Sequence, residues 1–509
     1  MLHHESSIEI GALSNKSKII PLIIGPLLAL ALYFILPESY QNTAGQTVEF
    51  SHAGRACAGI VLWMATWWFT EAVPIAVTSL LPIVLFPLFG VLSPSETLKN
   101  YANSTIFLFM GGFLIAAGIA RWHLDRRIAL LTIRVFGTKP QQIILGLLVA
   151  TGFLSAWVSN TATAAMMVPI ALAVLGVVRN TRGDEPIDKR EYNFGVSVLL
   201  SIAYGASLGG VLTLIGTPPN GIFVRFVEQM YGVNVNFLEW MKVSIPIVGI
   251  LMASTYFLMT KFLFREQISE LPGGKEWVKN EISRLGPLSK GEKIVLTVFV
   301  TAAALWCFGP LIRGFEVDGI RPFKDLSDTV IAMGAGIILF IIPVDIKRGV
   351  HALDWSSASE AVAWDVLLLF GGGLTMAHAI QTTGMASVVG SAAIVFAGLP
   401  DIAVAGGITT LAVFASEFTS NTALAATMMP LVAAIAESIN MHPESLLICT
   451  TVGASMAFMM PVGTPPNAII FGTGRIRITE MIRAGFWLNI ISIIVITLVT
   501  SVISLGVIP

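Results

Sequence analysis

Charge is what this 509-residue chain has least of: Asp, Glu, Lys and Arg make up 12% of it, against 55% hydrophobic residues. Soluble domains carry about 25% charged residues, so a water-soluble globule is excluded. A mean hydropathy of +0.80 places the chain in lipid. The 30 basic and 31 acidic residues nearly cancel, leaving −1, which provides no field for nucleic acid. Cysteine is almost absent. Cys57, Cys307 and Cys449 are odd in number, widely spaced and set in or beside apolar sequence, so they suggest neither a disulfide framework nor a thiolate metal site. The seven His are scattered, and His378, inside an apolar run, reads as a packed imidazole rather than a proton relay. Without a nucleophile–base pair or a metal cluster, an enzyme is not expected, and no organic cofactor is implied.

What is present is a succession of long apolar runs. A membrane-crossing helix needs roughly 20 such residues, and residues 19–36, 106–120, 245–260, 295–312, 330–342 and 487–507 meet or approach that. The tail 1–18 is polar, with His3, His4 and Glu5, and no small-residue cleavage site follows the first apolar run, so that run is read as a span. Basic residues sort by side. Lys16, Lys18, the groups 121–139, 179–190 and 275–293, Lys261, Arg265, Lys347, Arg348, Arg475, Arg477 and Arg483 make 23 of the 30 and fall on one side. Arg55, Lys99, Arg225, Lys242, Arg313, Arg321 and Lys324 fall on the other. By the positive-inside rule the richer side is cytoplasmic.

The expected fold is therefore an all-α polytopic membrane protein with about eleven transmembrane helices and two re-entrant helical hairpins, its N-terminus cytoplasmic and its C-terminus outside. Residues 1–18 are read as a cytoplasmic tail, 19–120 as membrane helices and 121–139 as an interfacial helix. The first hairpin and the helices after it occupy 140–264, and a cytoplasmic linker 265–292. The rest divides into helices at 293–397 and the second hairpin with its following helices at 398–509.

The chain also aligns with itself. An offset of 261 places FLFMGGFL (107–114) on LLFGGGLT (368–375) and Ser159-Asn160-Thr161 on Ser420-Asn421-Thr422. Ser155 falls on Ser416, Ala162 on Ala423, Met167 on Met428 and Pro169 on Pro430. Beyond the hairpins, Gly205-Ala206-Ser207 matches Gly453-Ala454-Ser455, and GTPPN at 216–220 matches GTPPN at 463–467. In the basic-loop topology the two hairpins enter from opposite sides, so the halves are inverted repeats, whose sites lie near the bilayer midplane where broken helices offer amides to anions and carbonyls to cations.

The motifs supply those groups. Ser and Thr hydroxyls donate to a carboxylate or sulfate oxygen, and the Asn amide donates to an anion while its carbonyl faces a cation. In GTPPN the glycine allows close backbone approach, and two prolines interrupt the helix and free carbonyls. The plainer reading, in which SNT caps a helix and GTPPN kinks a span, does not explain why both recur in order. Residues 140–178, 192–224 and 445–474 contain no Lys, Arg, Asp or Glu. A divalent anion there would lack a basic partner, which is costly at depth, so co-bound Na⁺ is expected to supply the charge, hard oxygen ligands suiting it. Glu417, beside the second tip with Ala156 as its counterpart, reads as a structural hydrogen bond within its hairpin, and Glu71 as a helix break or packing contact.

These features, with WWFTEAVPIAVTSLLP at 67–82, resemble the divalent anion/sodium symporter family across nearly the whole chain. The resemblance implies an elevator-type transporter, a homodimer, in the plasma membrane of a bacterium, with scaffold helices at 19–120 and 293–397 and the hairpins with transport helices at 140–264 and 398–509. It implies substrate contacts from Ser159, Asn160, Thr161, Ser420, Asn421 and Thr422, with Thr217 and Thr464 nearby. One Na⁺ would be held by Ser155, Ser159, Asn160 and Gly216, with Gly209 and Gly210 as alternatives to Gly216, and the other by Ser416, Ser420, Asn421 and Gly463. The expected function is sodium-coupled symport of C4-dicarboxylates such as succinate, malate or fumarate. The alternatives are a sodium-independent exchanger and a carrier of sulfate or another divalent anion.

Overall fold

The computed structural model describes residues 2–41, 46–182, 185–265, 268, 271, 273–393, 396–503 and 505–506, without the side chains of 2–18, 181 and 182. Its regular strands are two short antiparallel pairs, β1 (Ser39–Gln41) with β2 (Thr47–Glu49) and β3 (Pro343–Asp345) with β4 (Val350–His351). Helices account for the rest, because a helix satisfies its backbone within one segment where lipid cannot.

The first half runs through α1 (Leu2–Ile35), α2 (His52–Thr70), α3 (Ile75–Ser79), α4 (Leu81–Leu88), α5 (Pro94–Lys99), α6 (Ser104–Arg121) and α7 (Leu124–Phe136). A helical hairpin follows, α8 (Pro140–Ser155) and α9 (Asn160–Arg182), then α10 (Lys189–Val211), α11 (Pro218–Tyr231) and α12 (Phe237–Phe257). A connector with α13 (Gly274–Leu285) leads to α14 (Lys290–Gly314), α15 (Asp328–Ile341), α16 (Trp355–Ala361), α17 (Trp364–Thr382) and α18 (Met385–Ala393). The second hairpin is α19 (Asp401–Ser416) and α20 (Asn421–Ser438), followed by α21 (Pro443–Gly453), α22 (Pro465–Gly472) and α23 (Ile478–Val502).

Among the described residues six helices are long and apolar enough to cross a membrane, or seven if α16 and α17, bent by 51°, count as one span. The expectation was about eleven. The difference lies in interrupted helices: Ile75–Leu88, Pro140–Ser155, Asp328–Ile341 and Asp401–Ser416 are apolar but short, and the GTPPN breaks leave α11 and α22 as separate pieces. Glu71 ends α2 in the left-handed conformation, φ 46°, in line with a helix break there.

The repeat in sequence recurs as a repeat in packing. A Cβ added at Gly111 of α6 would collide with the backbone of Ala332 in α15, and one at the repeat-related Gly372 of α17 would collide with the Ser79 backbone next to α4. These glycines therefore let helix backbones touch. The halves interlock around the two hairpins, with α22 against α9 and α10, and α11 against α20 and α21.

The amphipathic α7 buries Leu124, Ala129, Leu130 and Ile133 and is tied down at its N-terminal end. Arg121 pairs with Asp354 and donates to Ser357 Oγ at 3.1 Å. Arg127 meets Glu292 at 2.6 Å and donates to the carbonyls of Leu285 and Gly286.

Candidate substrate and cation site

Each hairpin breaks where the sequence places its SNT tip. α8 ends at Ser155 and α9 starts at Asn160; α19 ends at Ser416 and α20 starts at Asn421. Ser159 and Ser420 accept the backbone N–H groups of Ala162 and Ala423 at 3.3 and 3.5 Å, so capping, the plainer role of SNT, is realised. Capping does not account for the neighbouring oxygens.

Ser155 Oγ lies 2.7 Å from Asn160 Oδ1 and 2.7 Å from the Ala206 carbonyl oxygen. Ser416 Oγ lies 2.8 Å from Asn421 Oδ1 and 2.7 Å from the Ala454 carbonyl oxygen. A hydroxyl carries one proton, so it can donate to only one of its two oxygen neighbours. With Oδ1 of Asn160 and Asn421 turned toward the serines, the other close oxygen pair has no hydrogen between its members; with the amide reversed, Nδ2 would donate to the hydroxyl. Three clustered oxygens with that deficit, built twice from repeat-related residues, suit a cation. Sequence reasoning had aligned Ala206 with Ala454 but gave neither a role, because a backbone carbonyl leaves no residue-type signature; their shared register with the serines was the available signal.

The GTPPN segments close a matching pair of breaks. Thr217 and Thr464 precede α11 and α22 with nearly identical backbones, φ −144° and ψ 143° against φ −144° and ψ 148°. Asn220 Nδ2 donates to Thr213 O at 2.7 Å and Gly210 O at 3.2 Å. Asn467 Nδ2 donates to Met460 O at 3.0 Å and Ala457 O at 3.1 Å. Both side chains are fully buried, so the second asparagine of each half, which the sequence reading left without a role, holds the unwound backbone together.

The structure sorts the remaining expected residues. A Cβ on Gly210 would strike the Asn160 amide, whereas one on Gly216 would strike the Gly210 carbonyl and one on Gly209 the Gly152 backbone. Gly210 is thus the glycine against Asn160, and Gly216 lies one contact further out. In the second half, Gly463 faces Ala457, the repeat counterpart of Gly210, and Glu417. Ser159, Asn160, Ser420 and Asn421 are half-buried, Thr217, Thr464 and Thr422 buried, and Thr161 exposed. The two tips therefore sit in unequal surroundings. Trp157 at the first tip packs its ring on Phe299, Trp306 and Phe237 at centroid distances of 5.2, 6.1 and 6.4 Å, while its counterpart Phe418 is 71% exposed.

Glu417 corrects an expectation. Its hydrogen bonds leave the hairpin: the carboxylate accepts the backbone N–H groups of Phe458 at 2.8 Å, Met459 at 2.9 Å and Met460 at 2.9 Å, and Asn489 Nδ2 at 2.7 Å. The preceding local sequence gave no signal of these partners, which are 41 to 72 positions away. Consecutive amides of an unwound segment make an anion-binding concavity, and here the anion is a side chain. With Ala156 in its place, the first half stabilises its break through the carbonyls instead. Trp240 Nε1 donates to Val211 O at 2.8 Å and Ser244 Oγ to Leu212 O at 2.7 Å. Either route satisfies non-helical backbone buried in protein.

Paired hairpin tips meeting paired backbone breaks, inside a helical chain built for lipid, define a membrane transporter. Residues 23–507 match the family described as the sodium:sulfate symporter transmembrane region. The chain belongs to that family, the divalent anion/sodium symporters, and is a transporter, not an enzyme. It is 38% identical over 487 residues to the sodium-dependent dicarboxylate transporter SdcS of Staphylococcus saprophyticus, covering 95% of this chain and 91% of that one. To SdcS of Staphylococcus aureus strain USA300 it is 40% identical over the same shares. Among solved structures, the YdaH transporter of Alcanivorax borkumensis, whose topology is described as unusual, shares the fold with a TM-score of 0.58 over 97% of this chain and 99% of that one, at 11% identity.

Proposed function

We propose that this protein carries C4-dicarboxylates such as succinate, malate or fumarate across the plasma membrane of a bacterium together with Na⁺. The observation that carries the proposal is the doubled oxygen cluster around Ser155 and Ser416. One Na⁺ sits among Ser155, Ser159, Asn160 and Gly216, the other among Ser416, Ser420, Asn421 and Gly463, and the carbonyls of Ala206 and Ala454 join them. Two cations neutralise a dicarboxylate in a region whose surrounding segments hold no Lys or Arg. The substrate oxygens are met by Ser159, Asn160, Thr161, Ser420, Asn421 and Thr422, with Thr217 and Thr464 behind them. The SdcS relatives, named for sodium-dependent dicarboxylate transport, support both ion and substrate class.

The carrier works as a homodimer by an elevator motion, in which the hairpins and the helices after them move against α1–α6 and α14–α18. The contrast between packed Trp157 and exposed Phe418 supports this: one tip is docked on α14 while the other is not. The N-terminus is cytoplasmic. In support, Arg477 lies over the ring of Tyr192, two residues after Arg190, at 5.6 Å, and Arg313 and Lys324, read as lying on the other side, line one cavity.

The test is uptake of labelled succinate into proteoliposomes with and without an inward Na⁺ gradient, for wild type, Asn160→Ala and Asn421→Ala. Uptake should require Na⁺ and be lost in both variants. Equal uptake without Na⁺ identifies an exchanger, normal uptake by both variants removes the site, and stronger competition by sulfate than by malate makes the substrate an inorganic anion.

A further inference from the structure

A cationic cavity lies at the base of the first hairpin, at the opposite end of α8 from the SNT tip. The cavity, of about 700 Å³, opens between α7, the turn before α8 and α13, and its lining includes Arg134, Lys139, Lys275 and Lys279. Among the described residues no Asp or Glu lines it. Neighbouring basic groups have acidic partners: Arg126 and Arg284 share Glu281, and Arg127 holds Glu292. Among the described residues the four cavity cations converge without an acidic partner.

The fold enforces the convergence. α13 buries Val278 and Glu281, which turns Lys275 and Lys279, one helical turn apart, to a common exposed face. α7 buries Leu130 and Ile133 and leaves Arg134 outward. Gly137, at φ +109°, makes a turn that a side chain would disfavour, and the Lys139 N–H donates to Gln142 Oε1 at 3.1 Å, fixing Lys139 at the base of the first hairpin. Like charges held around one cavity repel, so the arrangement favours a counter-anion with several oxygens, for which Arg in particular offers a planar fork of donors.

The surroundings point to the source of that anion. Val135, next to Arg134, is 82% exposed, and Leu131, one turn earlier on α7, is 42% exposed. Apolar side chains beside a cationic rim on an amphipathic helix are the mark of a surface lying at the acyl–headgroup boundary. We infer that this cavity binds the phosphate-bearing headgroup of an anionic phospholipid, with the acyl chains against Leu131 and Val135. The leaflet, the cytoplasmic one, rests on the proposed orientation; the site itself does not. A bound headgroup bridges α13, in the connector between the halves, to the base of the first hairpin.

The full-length protein is extracted from vesicles of phosphatidylcholine and phosphatidylglycerol in equal amounts, and its retained lipid is counted by native mass spectrometry. Wild type retains phosphatidylglycerol in preference to phosphatidylcholine, and millimolar inorganic phosphate does not displace it. Each removed charge weakens retention about fivefold, so Arg134→Gln/Lys275→Gln/Lys279→Gln weakens it by about 100-fold, whereas Lys275→Arg/Lys279→Arg retains it. Equal thermal midpoints in pure phosphatidylcholine confirm that the variants fold, and if the triple variant does not, the wild-type lipid preference and phosphate competition still decide. Retention by the folded triple variant equal to wild type, or no preference in wild type, overturns the inference. Displacement of the lipid by inorganic phosphate overturns the lipid assignment in favour of a soluble ligand.

Discussion

Replacing Glu417 with alanine removes the acceptor from three consecutive backbone amides and from Asn489 Nδ2. A buried donor left unpaired costs at least about 1 kcal/mol, so four of them cost about 4 kcal/mol if no water enters. At 1.4 kcal/mol per decade, the population in which Phe458–Met460 keeps its unwound shape falls by roughly a thousandfold. Because Gly463 and the GTPPN break follow directly, the loss should appear first in the Na⁺ dependence of uptake. Glu417→Gln keeps one acceptor oxygen but sets an amide donor against N–H groups, so its defect should be intermediate. The assay is succinate uptake as a function of Na⁺ in proteoliposomes, with the thermal midpoint in detergent as a check on folding. If Glu417→Ala melts with wild type and its half-saturating Na⁺ shifts by less than about twofold, under 0.5 kcal/mol, the carboxylate is not what holds the second break.

Gly210→Ala should abolish uptake with the fold intact, since its methyl would enter the Asn160 amide; normal uptake by a folded variant would remove Asn160 from the site. Trp157→Ala should destabilise the protein by about 3 kcal/mol, because its ring fills an aromatic cluster, whereas Phe418→Ala, on an exposed ring, should leave the thermal midpoint unchanged; equal shifts would refute the asymmetry of the tips. Burial pushes the Asp125 carboxyl above its usual range, against weaker lowering by the Arg126 backbone amide and by His123 and Arg126. A carboxyl raised on folding costs stability above that raised pKa, and the cost is relieved as pH falls through it. Asp125→Asn should therefore raise the melting midpoint at neutral pH and flatten its rise on mild acidification, which a thermal-unfolding series across pH checks; an unchanged profile would show that Asp125 does not titrate against folding.

The sequence announced the helix breaks because proline, glycine and a repeated SNT act locally. Helices end and restart within a few residues of both tips and begin inside both GTPPN motifs, and the matched contacts of Ser155 and Ser416 follow the offset that aligned them. It did not show the alanine carbonyls at positions 206 and 454, where any residue would present the same atom. Nor did it show that Gly210, rather than Gly216, touches Asn160, since which glycine of an unwound stretch meets the hairpin tip is decided only when the backbone folds. Glu417 was visible as an unusual acid, but its partners come from a segment brought near only by tertiary packing. Among the described residues six or seven helices are long and apolar enough to cross unbroken against an expected eleven, because several apolar stretches are divided into shorter helices and apolarity does not say whether one helix continues through lipid.

The unequal packing of Trp157 and Phe418 has a consequence for how such a protein adapts. Two copies of one motif spell almost the same chemistry, yet only one is gripped by its aromatic neighbours. Part of what distinguishes the copies therefore resides in residues outside the proposed ion and substrate contacts. Under the proposed elevator motion, substitutions at Phe237, Phe299 or Trp306 reset the resting balance between the two ends while leaving the cargo recognised as before. Selection would then have separate handles on what is carried and on which door stands open.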